Sequence, residues 1–351
     1  MSEEGSSSLL WLDALTPKHA RLVSSLKKVL SDRYRIFVTA REYAETTGIL
    51  ELEGVEYTRI GKHGGPTKLG KLLAYAERTL QLAKLISSIE LPDALISFSS
   101  PSAVRVAFGL GIPAVSLNDT PHATHVCRLT FPLSARVISP SAIPREELLK
   151  LGATEGSLIQ YDGVDEVLWV REYNPDPSTL SWAKQLGSPL VVLRPLETEA
   201  AYMGGRSYEL TGLVEFLVRE GAKVVLFPRY KWQERFAREG VIIPNKVLDT
   251  LTLYKVSSLV ISGGGTMARE GALLGTPSIS LFPLNIPLYV NDYLSKLGFP
   301  LWRFRSWKDA IPLIRKVLRD PNSMREDTSS LLKKLETPLS AVERALNELG
   351  I

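Results

Sequence analysis

Residues Ser258–Ser280 read SLVISGGGTMAREGALLGTPSIS, and they decide the fold. Leu259, Val260 and Ile261 form a short β-branched apolar run of the kind found in buried parallel strands. Ser262-Gly263-Gly264-Gly265-Thr266 is a glycine turn that lets the backbone come close to another group. Met267 to Leu274 suits a helix whose N-terminus points at that group. Gly275-Thr276-Pro277 ends the helix, and Pro277 to Leu281 starts another strand. Strand, glycine turn and uncapped helix start together make an anion site, most often one for phosphate. The turn is neither G-x-G-x-x-G nor a P-loop, since no Gly-Lys-Ser/Thr follows. The plainer alternative is a tight turn followed by a solvent-facing carboxylate at Glu270.

The same alternation extends in both directions. Before the turn come strands at Leu190–Leu193 and Lys223–Phe227, with a short one at Ile242-Ile243. A helix follows Gly205 and another surrounds Trp232. After it comes a helix from Tyr289 to Leu297, and then a mostly helical tail. The first half alternates likewise, with strands beginning near Leu9, Tyr34, Val55, Asp93, Pro113, Arg136 and Ser157. Its first helix has Thr16 as cap and Pro17 at its first position. Helices alternating with strands imply parallel sheets in βα units. The polar, proline-containing stretch Arg171–Ser178 reads as a linker. The expected fold is therefore α/β, with two Rossmann-like domains facing each other across a cleft. The expected divisions are 1–170, a linker at 171–180, 181–325, and a C-terminal helix within 326–351 that returns to the first domain.

Composition narrows the function. The 351 residues are 44% hydrophobic and 23% charged, ordinary values for a globular protein. A net charge of +4 is too small and dispersed for a nucleic-acid partner. It fits an acidic small molecule, and it permits peripheral contact with an anionic membrane. No apolar run is long enough to span a bilayer. The opening MSEEGSSS lacks a signal-peptide core and reads as a disordered lead-in. One cysteine, Cys127, allows neither an internal disulfide nor a multi-cysteine metal centre. A cytoplasmic location follows, with contact at the inner membrane face allowed. The oligomeric state is not readable.

Ligands of doubly wound sheets sit beyond the carboxyl ends of the strands, and the candidate site residues fall there. In the second half they are Arg194, Arg229 and Ser262, Gly263, Gly264, Gly265 and Thr266. Glu270 lies one helical turn on, where its carboxylate could accept from two ribose hydroxyls. An arginine at a strand end commonly clamps phosphate, and Arg194 ranks above Arg229. In the first half, Asn118-Asp119-Thr120-Pro121-His122 offers a carboxylate and an imidazole for acid–base chemistry. An Asx turn with Asp119 as helix cap is an equal and compatible reading. Asp13 ends the first strand and is a candidate base or acceptor ligand. Lys18 and His19 oppose the helix dipole, which hints at an anionic neighbour. Ser99, in the Ser97–Ser102 turn, could contact a sugar or a second phosphate. Gly61-Lys62-His63-Gly64-Gly65 suits a mobile lid or a plain exposed loop. No metal is assigned, because His122, His125 and Asp119 match no common ligand spacing.

ISGGGTMAREGALLGTP resembles the nucleotide-binding segment of the GT-B fold, shared by UDP-N-acetylglucosamine 2-epimerases and glycosyltransferases. The chain is more closely similar to the domain of unknown function 354 family, which is largely archaeal. The segments that carry this are LDALTPKHARLV, TAREYAETTGILELEGVEYTRIGKHGG, NDTPHA, LTFPLSARVISP and SGGGTMARE. The resemblance implies a nucleoside diphosphate sugar, a UDP-sugar in first place, as substrate, with no further cofactor. Ser262 to Thr266 would lie against the diphosphate and Glu270 against the ribose, with Tyr289 and Asn291 near the donor sugar. It implies metal-independent glycosyl transfer to a glycan or lipid-linked acceptor, with Asp13, Asp119 or His122 as base. Epimerisation is the alternative, weakened because Arg269 stands where the epimerases carry a second glutamate. A protein that binds sugar nucleotides without turnover is the third reading.

Overall fold

The computed structural model describes residues 7–43, 45–198 and 209–351. Residues 1–6 of the lead-in, and Gly205 ahead of an expected helix, lie outside them. The chain divides into two compact units, Met1–Trp169 with Glu336–Ile351, and Val170–Leu335.

The first unit is a seven-stranded parallel sheet. Its strands are β1 (Leu9–Ala14), β2 (Arg35–Glu42), β3 (Thr58–Lys62), β4 (Ala94–Ser97), β5 (Ala114–Leu117), β6 (Arg136–Pro140) and β7 (Leu158–Tyr161). Their order is β3-β2-β1-β4-β5-β6-β7. The winding reverses between β1 and β4, where Asp13 lies in register with Ser97. Every residue of β1 is buried, as a strand covered by helices on both faces requires. The helix Pro17–Leu30 starts where Thr16 Oγ1 accepts from the His19 N–H, and it buries Leu22, Val23, Leu26 and Leu30. β2 runs on to Glu42, and the next helix starts at Thr46.

The glycine loop 61–65, a lid or a plain exposed loop in the sequence reading, is anchored. Gly61 has φ +76° against the Arg78 side chain, and a Cβ on Gly64 would stand 2.3 Å from the Gly70 carbonyl oxygen. His63 stacks on Tyr43 with ring centroids 4.5 Å apart. The helix Pro338–Glu348 packs on β6 and β7 of this unit and buries Ala341, Val342, Ala345 and Leu346.

The second unit has β8 (Leu190–Arg194), β9 (Lys223–Leu226), β10 (Val241–Ile242), β11 (Leu259–Ser262), β12 (Ser278–Leu281) and β13 (Leu301–Phe304). They form a parallel sheet in the order β10-β9-β8-β11-β12-β13. Its reversal falls between β8 and β11, with Ser262 opposite Arg194. Val191, Leu193, Ile261 and Ile279 pack against Leu213 and Leu217 of the helix Leu210–Arg219 and against Ile314 and Val317 of the helix Ile311–Arg319.

Three features differ from the sequence reading. β13 is an additional edge strand, where LWRF lacks an alternating pattern. The proline-containing stretch leads into a helix, Pro177–Leu186, because Pro177 occupies its first turn and Asp176 accepts from the Thr179 N–H at 2.7 Å. Trp232, where the sequence suggests a helix, is 49% exposed on a short 3-10 segment, and its ring stacks on Tyr230.

Candidate functional site

In the second unit the reversal between β8 and β11 collects the polar groups. The Gly263 N–H donates to the Arg194 carbonyl at 2.9 Å, and the Gly264 N–H donates to Ser262 Oγ at 3.1 Å. None of the three glycines takes a left-handed φ, so space rather than conformation demands them. A Cβ on Gly263 would stand 2.3 Å from Leu196 Cα, and one on Gly265 would stand 2.3 Å from Arg269 Nη1. Gly264 alone has room for a Cβ, its nearest neighbour being Arg229 Nη2 at 3.4 Å from the would-be Cβ. Two of the glycines therefore serve the protein's own packing, and one leaves backbone bare.

The helix Thr266–Leu273 starts directly after this turn without a side-chain cap. Its first-turn N–H groups have no acceptor within the helix, and they carry the positive end of the dipole. Arg229 holds the rim: Nε donates to the Pro195 carbonyl at 2.6 Å, and Nη1 lies 3.5 Å from Glu197. Arg194 is buried, and its Nη1 donates to the carbonyls of Phe227 and Pro228 at 3.4 and 3.2 Å. It ties down the end of β9, whereas Arg229 stands beside the bare backbone.

Glu270 is only 4% exposed, which removes the reading of a solvent-facing carboxylate. Arg269 Nη1 donates to Asn291 Oδ1 at 3.0 Å. Asn291 lies in the helix Tyr289–Lys296, and its buried Nδ2 has no hydrogen-bond partner. Ser280 Oγ, in register with Ser262 on the neighbouring strand, is likewise buried without one. Buried donors without partners are rare, and their presence beside the turn marks a place for a polar ligand. Tyr289 opens the same helix and is half-buried.

In the first unit Asp13 is fully buried. Its Oδ1 accepts from Arg78 Nη2 and from Thr39 Oγ1, both at 2.6 Å. Arg78 also reaches Ser102 Oγ at 2.6 Å and the Ile60 carbonyl at 2.9 Å. Burial pushes the Asp13 carboxyl upward, but the Arg78 charge with hydrogen bonds from Arg78 and Thr39 outweighs it and holds the carboxyl below its ordinary value. Such a carboxylate is a poor proton acceptor.

Lys18 has the anionic neighbours that its place in the helix suggested, and they belong to the protein. Nζ lies 2.5 Å from Asp119, 2.7 Å from Asp165 and 3.5 Å from Glu166, and 4.3 Å from the Phe98 ring centroid. Lys18 thus sits among three buried carboxylates. Burial pushes the Asp165 carboxyl upward; Lys18 draws it back, while Asp119 and Glu166 push it further up. Tyr161 donates to it at 2.6 Å. Asp165 and Glu166 are absent from the sequence-based candidates. A DE pair after a glycine bend carries no local signal, and only folding brings it 147 residues back along the chain to Lys18.

His19 is buried, and its Nδ1 accepts from the Leu15 N–H at 3.3 Å. Burial, then the charges of Lys18 and Arg41, push the imidazole down to about 3, so it is neutral with its proton on Nε2. Asn118, rather than Asp119, makes the Asx turn, accepting from the Thr120 N–H at 2.9 Å. The following helix, Thr124–Thr130, has no side-chain cap, so Asp119 does not cap it. Asn118 Nδ2 donates to Ser99 Oγ at 3.2 Å, and Ser99 has a φ of +48°, a strained value for a non-glycine residue. His122 is half-buried and His125 exposed. Among the described residues, no group of three or more His, Cys, Asp and Glu side chains is placed to hold a metal ion.

Two doubly wound parallel sheets, each with its polar residues gathered where the winding reverses, define an α/β protein of the GT-B type. The chain belongs to the family described as "Protein of unknown function (DUF354)", which matches residues 9–338. The uncharacterized protein MJ0665 of Methanocaldococcus jannaschii is 33% identical over 296 residues, covering 81% of this chain and 84% of the relative. Similar solved structures include the UDP-GlcNAc 2-epimerase of M. jannaschii in complex with UDP-GlcNAc and UDP. Its TM-score is 0.69 at 15% identity, over 97% of this chain and 99% of that one. Anabaena Alr3699/HepE in complex with UDP and glucose gives 0.61 at 14% identity, over 98% and 100%. The Neisseria meningitidis UDP-GlcNAc 2-epimerase bound to UDP-GlcNAc gives 0.63 at 13% identity, over 97% and 100%. At these identities the likeness is one of fold.

Proposed function

We propose that the chain binds a nucleoside diphosphate sugar in its second unit and transfers the glycosyl group without a metal ion. The observation that carries this is the composition of the β8/β11 reversal. The bare backbone at Gly264, the Arg229 guanidinium and an uncapped helix start lie beside a buried Glu270 and an unpartnered Asn291 Nδ2. The N–H groups and Arg229 hold the diphosphate and stabilise the charge that grows on it as it leaves. Glu270 accepts from the ribose hydroxyls, and Asn291 donates to the sugar or phosphate. The neighbouring folds solved with UDP and UDP-sugars support UDP as the carrier. Asp119 or His122 takes the proton of the acceptor hydroxyl, while Asp13, held by Arg78, positions β1 and β2. Glu270→Ala is expected to abolish UDP binding in calorimetry, and retained affinity rejects the ribose assignment.

The three carboxylates around Lys18 favour a second reading, epimerisation of the same donor. Removing and returning a proton calls for more than one acid–base group, and Asp119, Asp165 and Glu166 supply them. NMR of UDP-sugar incubations separates these readings. Free UDP with a new glycoside supports transfer, and an epimeric UDP-sugar supports the second reading. Tight UDP binding with no product across donors and acceptors reduces the chain to a binding protein.

A further inference from the structure

The helix Lys68–Ile86 has two apolar faces. Leu82 and Ile86 are buried in the core of the first unit, against Ala103, Val104 and Ala107 of the helix Pro101–Gly109. About half a turn round the helix runs a second stripe, Leu69, Leu72, Leu73 and Leu80, at helical spacing. These four leucines are 65%, 61%, 59% and 58% exposed. Solvent-facing leucines scattered singly are ordinary, but four aligned on one helix mark an interaction surface.

The charges on this helix and its neighbours are one-sided. Lys68 and Lys84 border the stripe, where Glu77, between Leu73 and Leu80, is the helix's one acidic residue. The adjoining helix Pro101–Gly109 has no acidic residue and exposes Arg105 with Phe108. Thr124–Thr130, packed against that helix, also has none and exposes Arg128 with Leu129. Apolar side chains set among cations are the chemistry of an interfacial helix on an anionic lipid surface, with leucines in the acyl boundary and lysines at the headgroups. A second copy of the chain would bring this basic face against itself and be repelled. Among the described residues no helix is long and apolar enough to cross a membrane, so the contact is one of docking.

We infer that the face formed by the helices Lys68–Ile86, Pro101–Gly109 and Thr124–Thr130 docks the protein onto an anionic membrane surface. The surface is independent of the nucleotide site, and its loss leaves UDP binding unchanged. The test is cosedimentation of the full chain with phosphatidylcholine vesicles, with and without phosphatidylglycerol. The chain is expected to sediment with the anionic vesicles and to be released by high salt. The double variant Leu72→Glu/Leu73→Glu is expected to lower the fraction bound about tenfold. Both positions are exposed, so its circular dichroism should match the parent. Lys68→Glu/Lys84→Glu should weaken binding and reduce its salt dependence, since Arg105 and Arg128 remain. No binding to anionic vesicles, or equal binding by the leucine variant, overturns the proposal. So does light scattering that shows a dimer lost in that variant, since the stripe would then be covered by a second copy.

Discussion

Asp13 and His19 both lie at the first strand's end, yet they are buried in different company. Arg78, 65 residues along the chain, neutralises Asp13. His19 faces two cations in a desolvated site and stays neutral. Its folded value of about 3 lies below the unfolded 6.5, so the unfolded chain binds the proton more readily. The stability His19 contributes is therefore complete above pH 6.5 and is lost as pH falls toward 3, by up to about 1.4 kcal/mol per pH unit. Asp13, lowered in the folded state, loses its contribution only below about pH 4, as pH falls through its folded value. Asp165, raised, has the opposite sign and loses stability as pH rises through its folded value. Comparing His19→Gln with the parent isolates the imidazole. The urea midpoint of the parent should fall more between pH 7 and pH 5 than that of the variant, and parallel profiles would refute a neutral, buried His19. Arg78→Ala strands the Asp13 charge and should cost about 3–5 kcal/mol in the same assay. The position of Asp13 was legible in sequence as a polar residue at a strand end. Its role was not, because Arg78 sits mid-helix with nothing nearby to mark it.

The turn after β11 shows how far an element can be read from residues alone. Strand, turn and helix fall where the apolar run, the glycines and Gly275-Thr276 place them, because each boundary has a local cause. Which glycine matters for a ligand is not local, since Leu196 and Arg269 crowd two of the three. Gly263→Ala should therefore unfold at lower temperature than the parent, because its Cβ meets backbone that cannot give way. Gly264→Ala should melt within a degree or two of the parent while losing UDP affinity, its new methyl turned toward Arg229. If the two variants lose stability equally, or if Gly264→Ala binds UDP as the parent does, the assignment of the bare backbone to Gly264 is wrong. Arg229→Ala belongs to the same comparison and should weaken UDP binding without the stability loss expected for Arg194→Ala, whose guanidinium holds two carbonyls of the loop after β9.

Strand–helix alternation foretells two parallel sheets, since a parallel strand can follow another only through a crossover. It gives no physical reason for the return of the last helix to the first domain, because a helix of ordinary amphipathic pattern fits either sheet. Here the chain re-enters the first unit at Glu336, which forms a parallel bridge to Gly163, where a Cβ would stand 1.9 Å from the Glu336 carbonyl oxygen. The helix Pro338–Glu348 then covers β6 and β7. Arg136 Nε donates to Glu348 at 2.9 Å, and Arg33 pairs with Glu343. Both pairs are partly exposed and contribute little; the apolar contact decides. Burying Val342 and Leu346 stabilises by about 3–6 kcal/mol, a large share of the roughly 5–15 kcal/mol that holds a domain together. Removing residues 336–351 should therefore loosen the first unit selectively. Hydrogen exchange should accelerate in β6 and β7, while β8, β11 and β12 keep their protection. Loss of protection in β8 and β11 instead would assign the helix's stabilising contacts to the second unit and refute this division of the chain.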